Sequence, residues 1–386
     1  MKYLAAPRNP YIIGRPIREP ENFFGRESLF RFIEDNLYHG VKVILLYGQR
    51  RIGKSSVLQQ IPNFITRDKF VFVLFDLQDK SRENLSSILH NLALAILAQT
   101  DIDEDKVRVP TEDELEDNLD EFDRIFLPKI YQKIGNRILV LLLDEFDVLG
   151  NTFLDKTKNH LDFFSYFQKL LRQQEKLAFI PVIGRKVSDF SQLLNLFKNA
   201  PYQEIGFLDD VSAKRLITKP AEGILIYDPD AIQSILKLSA GHPYFIQVIC
   251  FCIFVRARQL DEWHINFQNI DDIVDRAIEN AEAGLAWFWD GLTIPEQVIF
   301  SAVAESQTVI EKPFKLLEKY GVIKTEALEK AVEQLVASNF LEQTCDKIKI
   351  ELVHRWLVQR HPLPREIKEL KIQKSQIILL GNTADS

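Results

Sequence analysis

The stretch Val41-Lys-Val-Ile-Leu-Leu-Tyr47, followed at once by Gly48-Gln49-Arg50-Arg51-Ile52-Gly53-Lys54-Ser55, decides the fold. A short apolar run of β-branched and aromatic residues reads as a buried strand. The segment after it has the G-x-x-x-x-G-K-[ST] spacing, placed where a strand passes into a helix. Phosphate oxygens need a concave array of backbone N–H groups, and glycines let the chain curl without side chains in the way. Gly48 to Ser56 are therefore expected to line a nucleotide's phosphates, with Lys54 reaching the β- and γ-phosphates and Ser55 ligating Mg²⁺. A helix starting near Lys54 would add its positive end.

Outward from this loop the same alternation continues. FVFVLFDL, RILVLLLDEF and KLAFIPVIGR are further short apolar runs, separated by longer amphipathic stretches such as NLSSILHNLALAILAQ and HLDFFSYFQKLLRQQ. Continuous apolar strands divided by helices indicate a parallel sheet covered on both faces. Such a strand can place acids only at its carboxyl end, where ligands sit in these sheets. Asp144 and Glu145 end one strand in this way, Asp144 suited to hold Mg²⁺ through water and Glu145 to polarise an attacking water. Arg185 follows another strand, where it either touches a γ-phosphate or pairs with surface carboxylates.

Composition sets the outer limits. The chain has 386 residues, a net charge of −7, three cysteines and 46% apolar residues, values that exclude a disulfide scaffold, a disordered chain and a nucleic-acid binder working by bulk positive charge. Cys250, Cys252 and Cys345 read as reduced core thiols, the longest apolar stretch (Tyr244 to Val255) is too short to span a bilayer, and the N-terminus has no apolar leader, so a soluble cytoplasmic protein is expected. Residues 101–124 carry 12 acidic and three basic residues, either a solvated loop and helix face or a docking surface for a basic partner. Glycine is scarce, with 15 where ordinary usage of ~7% would supply about 27.

The expected organisation is an N-terminal arm and helix over 1–40, an ATPase core over 41–210, a helical lid over 211–290, a winged helix over 291–362 and a tail over 363–386. The winged helix rests on three helical stretches followed by FLEQTCDKIKIEL, which alternates like a two-stranded hairpin. The aromatic stripes at Phe163 to Phe167 and Trp287 to Trp289 read as core.

Phe23-Phe24-Gly25-Arg26-Glu27, the loop with paired Arg50 and Arg51, Gly241-His242-Pro243, and His354 after the hairpin together resemble STAND ATPases, the class that includes NACHT and other NLR-type switch proteins. The resemblance covers roughly residues 22–360. It implies an α/β fold with a P-loop NTPase sheet of the ASCE or AAA-like kind, followed by a helical lid and a winged helix. It also implies that Phe24, Gly25 and Arg26 pack on the base, that Pro243 lies against adenine, and that His354 contacts the ADP β-phosphate. The aspartate usual after that histidine is Arg355 here. Apart from the resemblance, Gly241 to Pro243 is a helix-breaking turn and His354 a core histidine.

These features imply a slow, Mg²⁺-dependent ATPase that rests with ADP and rearranges or self-associates with ATP. Neither the arm nor the tail has room for a repeat sensor or an effector, so signals are expected to come from a partner protein or from a domain lost from this chain. The order of domains also resembles origin-initiator ATPases that bind DNA. Against that, the third helix of the winged unit, Lys324 to Asn339, carries two lysines and three glutamates, which would repel phosphate.

Overall fold

The computed structural model describes residues 7–100, 102, 106–148, 161–184 and 199–370. The chain divides into two compact units: one is Arg15–Gly206, and the other joins the residues up to Gly14 to those from Phe207 onward.

The Arg15–Gly206 unit is a five-stranded sheet with helices. Its elements are α1 (Glu27–Tyr38), β1 (Leu45–Tyr47), α2 (Lys54–Phe64), β2 (Phe70–Asp76), α3 (Leu85–Gln99), α4 (Glu112–Asp117), α5 (Leu127–Ile134), β3 (Ile138–Asp144), α6 (Leu161–Gln173), β4 (Leu177–Ile183) and β5 (Tyr202–Glu204). The strand order is β2-β3-β4-β1-β5, and every pairing is parallel. The strand that precedes the phosphate loop is thus separated from the acid-tipped β3 by β4. Parallel pairing puts all the carboxyl ends along one edge, so residues 48–55, Asp76, Asp144 and Gly184 gather there although they are spread over the chain. Leu139 to Leu143 are at most 1% exposed, and each buried leucine contributes about 1.5–3 kcal/mol relative to exposure. Phe163, Phe164, Tyr166 and Phe167 join this core, as their helical spacing predicted.

The acidic stretch is only partly the solvated face expected. α4 is closed by a capping box from Thr111 and Glu114 and packs on α3, while a π-helical turn over Glu121–Phe126 buries Phe122, Asp123 and Phe126. Asp123 is 1% exposed and lies 2.9 Å from Lys169 Nζ. The segment therefore packs its apolar residues inward and keeps most of its carboxylates outside.

The second unit contains α7 (Asp210–Thr218), β6 (Ile226–Tyr227), α8 (Pro229–Ser239), α9 (Pro243–Leu260), β7 (His264–Ile265), α10 (Phe267–Asp271), α11 (Val274–Asp290), α12 (Ile294–Val309), α13 (Pro313–Lys319), α14 (Glu326–Ala337) and α15 (Glu351–Arg360). Three expectations are corrected here. The lid is not purely helical, because β6 and β7 form a two-stranded parallel sheet. The hairpin shrinks to one antiparallel bridge, Leu341 to Ile348, flanked by the bonds Glu342 N–H to Lys347 O and Lys349 N–H to Phe340 O. Cys345 lies in its turn at φ 63°, half-buried, whereas Cys250 and Cys252 are in the core. α9 is long and apolar enough to cross a membrane, yet it is mostly buried against α7, α8 and α11.

The N-terminal segment is fastened at both of its ends. In the second unit Asn9 donates to Phe251 O, Tyr11 donates its hydroxyl to Ile217 O, and Ile12 N–H donates to Gln247 Oε1. In the sheet unit Ile17 N–H donates to Ser56 Oγ, and Gln60 donates to the carbonyls of Ile17 and Arg18. These bonds replace the water that an extended backbone would otherwise need.

Candidate nucleotide site

The loop after β1 is shaped by one close approach. A Cβ on Gly48 would stand 2.6 Å from Ile205 O and 3.0 Å from Ile52 Cγ2, so no larger residue fits. α2 then starts at Lys54, whose first-turn N–H groups have no partner within the helix. Lys54 is 5% exposed, and its Nζ donates to Gln49 O at 3.3 Å. Ser56, expected to serve the phosphates, turns its hydroxyl to Ile17 instead, which leaves its backbone N–H for a ligand. Ile52 is 1% exposed, and its N–H donates to Gln49 O at 3.4 Å, so it shapes the loop.

The acids of β3 meet this loop. Burial pushes the Asp144 carboxyl above its ordinary range, while the neighbouring Ser55 hydroxyl acts against that rise. Glu145 occupies the left-handed region at φ 49°, and its N–H donates to Asp144 Oδ1 at 3.0 Å. Burial raises the Glu145 carboxyl too; Lys54 and Arg50 act against that rise, while Asp147 and Asp144 reinforce it. A left-handed backbone at a non-glycine acid is the kind of strain that collects at reactive sites. Ser55 and Asp144 are hard oxygen donors and fit Mg²⁺. Among the described residues no group of three or more His, Cys, Asp or Glu side chains could hold a metal ion.

Two further carboxylates were not singled out as site residues by sequence. Asp147 is 6% exposed and accepts from Gly184 N–H at 3.1 Å, tying the turn after β3 to the end of β4. A Cβ on Gly184 would lie 3.3 Å from Asp147 Oδ2 and 3.9 Å from Lys54 Nζ, so this tie stands beside the phosphate lysine. Asp76 ends β2 and pairs in register with Asp144. Arg185 lies outside the described residues.

The Phe23 to Glu27 motif is clamped to the same loop. Phe23 packs on Phe30 and Phe64, which stack at 4.6 Å, and so serves the core. Gly25 and Arg26 are both left-handed, at φ 80° and 73°, and Arg26 Nη2 donates to Ile52 O at 3.3 Å.

Pro243 and His354 belong to the second unit. Gly241 has φ 78°, and a Cβ there would stand 2.6 Å from Leu208 O, while Leu208 N–H donates to Gly241 O. Pro243 follows as the first residue of α9, a position where its missing N–H costs nothing. His354 on α15 sits with Nε2 3.0 Å from Ala304 O and Nδ1 3.6 Å from Glu351. The imidazole of His354, helped by the Arg355 guanidinium, holds the Glu351 carboxyl down at about 2 against an ordinary 4.5. A depressed carboxylate stabilises the fold above its ordinary pKa and loses that contribution as pH falls through the folded value. All four tryptophans, Trp263, Trp287, Trp289 and Trp356, lie in this unit, so their fluorescence reports on it alone. Acid is therefore expected to lower its urea midpoint between about pH 4.5 and 2. Glu351→Gln should lower the midpoint at pH 6 and converge with wild type near pH 2; parallel curves would show that the ion pair contributes nothing.

Similar folds are known. The Walker-type ATPase of Pyrococcus abyssi superposes with a TM-score of 0.67 at 18% identity, covering 89% of this chain and 98% of that one. The chain has the P-loop NTPase fold. An ORC2 protein of Aeropyrum pernix (TM-score 0.47, 14% identity, 90% and 96% covered) and the RuvB branch migration motor of Thermotoga maritima (0.43, 16%, 89% and 97%) match less closely. No family model and no curated protein matches the chain. Within this fold, the Gly48 to Gly53 loop joins β1 to α2, and Asp144 ends β3.

Proposed function

We propose that the chain is an ATP-binding, ATP-hydrolysing molecular switch of STAND type, resting with ADP and rearranging or self-associating with ATP. The observation that carries the ATPase reading is a buried Lys54 at the head of α2, with Ser55 next to it, near the buried Asp144 at the carboxyl end of β3, so that the loop's cation and hydroxyl face an acid from another strand. Lys54 and the backbone N–H groups at the head of α2, from Gly53 to Ser56, would bind the phosphates, whereas the Gly48 and Ile52 N–H groups donate to Ile183 O and Gln49 O; Glu145 would take the proton of the attacking water. Mg²⁺, held by Ser55 and through water by Asp144, would neutralise charge on the β- and γ-phosphates.

The STAND reading draws on the Gly25-Arg26 clamp and on Gly241-His242-Pro243, with Pro243 against adenine. α12, α13, α14 and the short hairpin are consistent with a winged helix, which we read as a protein-interaction module. Its third helix carries more glutamates than lysines, and Lys324 is already paired to Glu329, so DNA is not the favoured partner.

The test is to identify the nucleotide in freshly purified protein and to measure turnover with and without duplex DNA. Retained ADP and slow turnover indifferent to DNA support the switch. Strong stimulation by DNA would replace it with an initiator-like ATPase, and absence of both nucleotide and turnover would refute the ATPase reading.

A further inference from the structure

Asp76 closes β2 as the last of seven residues paired with β3, directly opposite Asp144. Paired residues of parallel strands project to the same face of the sheet, so the two carboxylates share one face. The register is fixed at this end by Leu77 N–H, which donates to Asp144 O at 3.2 Å. Asp76 Oδ1 in turn accepts from Gln78 N–H at 2.9 Å, which restrains the carboxylate at the sheet edge.

The two acids differ in environment. Asp144 is 6% exposed, whereas Asp76 is exposed. Like charges on neighbouring strands repel, and Asp76 and Asp144 are paired in register. Such a pair is unfavourable for an empty site and favourable once a divalent cation is present. Asp76 lies one strand beyond Asp144, away from the phosphate loop, and the acids here form no direct chelating group. Contact with a cation would run through its water shell, and Mg²⁺ characteristically keeps several waters when bound with phosphates.

We propose that Asp76 is a positioning residue for the Mg²⁺ of the nucleotide complex, accepting a hydrogen bond from a metal-bound water on the side opposite Ser55. This rests on the ATPase reading above. It gives the site two outer carboxylates and makes nucleotide retention strongly dependent on free Mg²⁺.

The experiment measures binding of a fluorescent ATP analogue to the full chain across a series of free Mg²⁺ concentrations and in excess EDTA, for wild type and Asp76→Asn. Loss of an outer-shell partner typically weakens metal affinity 10–100-fold. The expected result is a Mg²⁺ midpoint raised about tenfold, with affinity in EDTA unchanged or tighter because one repelling charge is gone. An unchanged midpoint overturns the assignment. Equal weakening with and without Mg²⁺ also overturns it, since that pattern reports a merely structural role. In either case the ATPase reading survives if wild type binds the analogue and Lys54→Ala does not. A wild type that binds no analogue at any Mg²⁺ concentration overturns both.

Discussion

Replacement of Lys54 by alanine should abolish nucleotide binding, lowering affinity by about two orders of magnitude or more. The Lys54 ammonium is 5% exposed and held only 3.3 Å from Gln49 O, at the head of α2. A hydrogen bond to a charged group contributes about 1.5–3 kcal/mol, and a lysine that bridges two phosphates makes at least two. Little of that returns as lost stability, because truncation also removes a buried charge. The measurement is calorimetric titration with ATP and ADP, with circular dichroism to confirm the fold. Affinity within threefold of wild type would sink the phosphate assignment of the whole loop.

Glu145→Gln should retain ATP and lose turnover by about 10²–10⁴-fold, the range for removal of a general base. The substitution keeps shape and size, and the left-handed backbone at φ 49° is imposed by the turn that also bonds Val148 N–H to Glu145 O. Burial raises the carboxyl's affinity for a proton, which suits a base that must accept one from water. Single-turnover hydrolysis at saturating ATP separates this chemistry from binding. Turnover equal to wild type would move the role of base away from Glu145, and Asp147, the other buried acid beside it, would be the next residue to test.

The two variants probe the part of the site that is contiguous in sequence. Gly48 to Ser55 could be found by spacing alone because a phosphate-loop motif lies in consecutive residues, and Asp144 and Glu145 because a strand buried on both faces has nowhere else to put acids. Of the scarce glycines, Gly48 and Gly241 prove to be close backbone approaches that a Cβ would block. Where expectation failed, local pattern lost to packing. FLEQTCDKIKIEL alternates like a full hairpin, but left-handed residues at Asn339 and Cys345 shorten it to one bridge. The acidic stretch reads as solvated, yet Phe122 and Phe126 draw its π-helical turn into the core. Ser56 follows the motif, but its side chain serves the N-terminal segment.

The amino-acid sequence by itself determined a P-loop NTPase fold with an acid-tipped strand, since each of those features is written in residues a few positions apart. Strand order is not local. That β4 separates β1 from β3, that Asp76 stands opposite Asp144, that Asp147 ties down Gly184 and that Arg26 grips Ile52 follow only from which elements lie side by side. Those neighbours are chosen by the burial of apolar faces contributed from every part of the sheet unit, and no short window of sequence contains that sum.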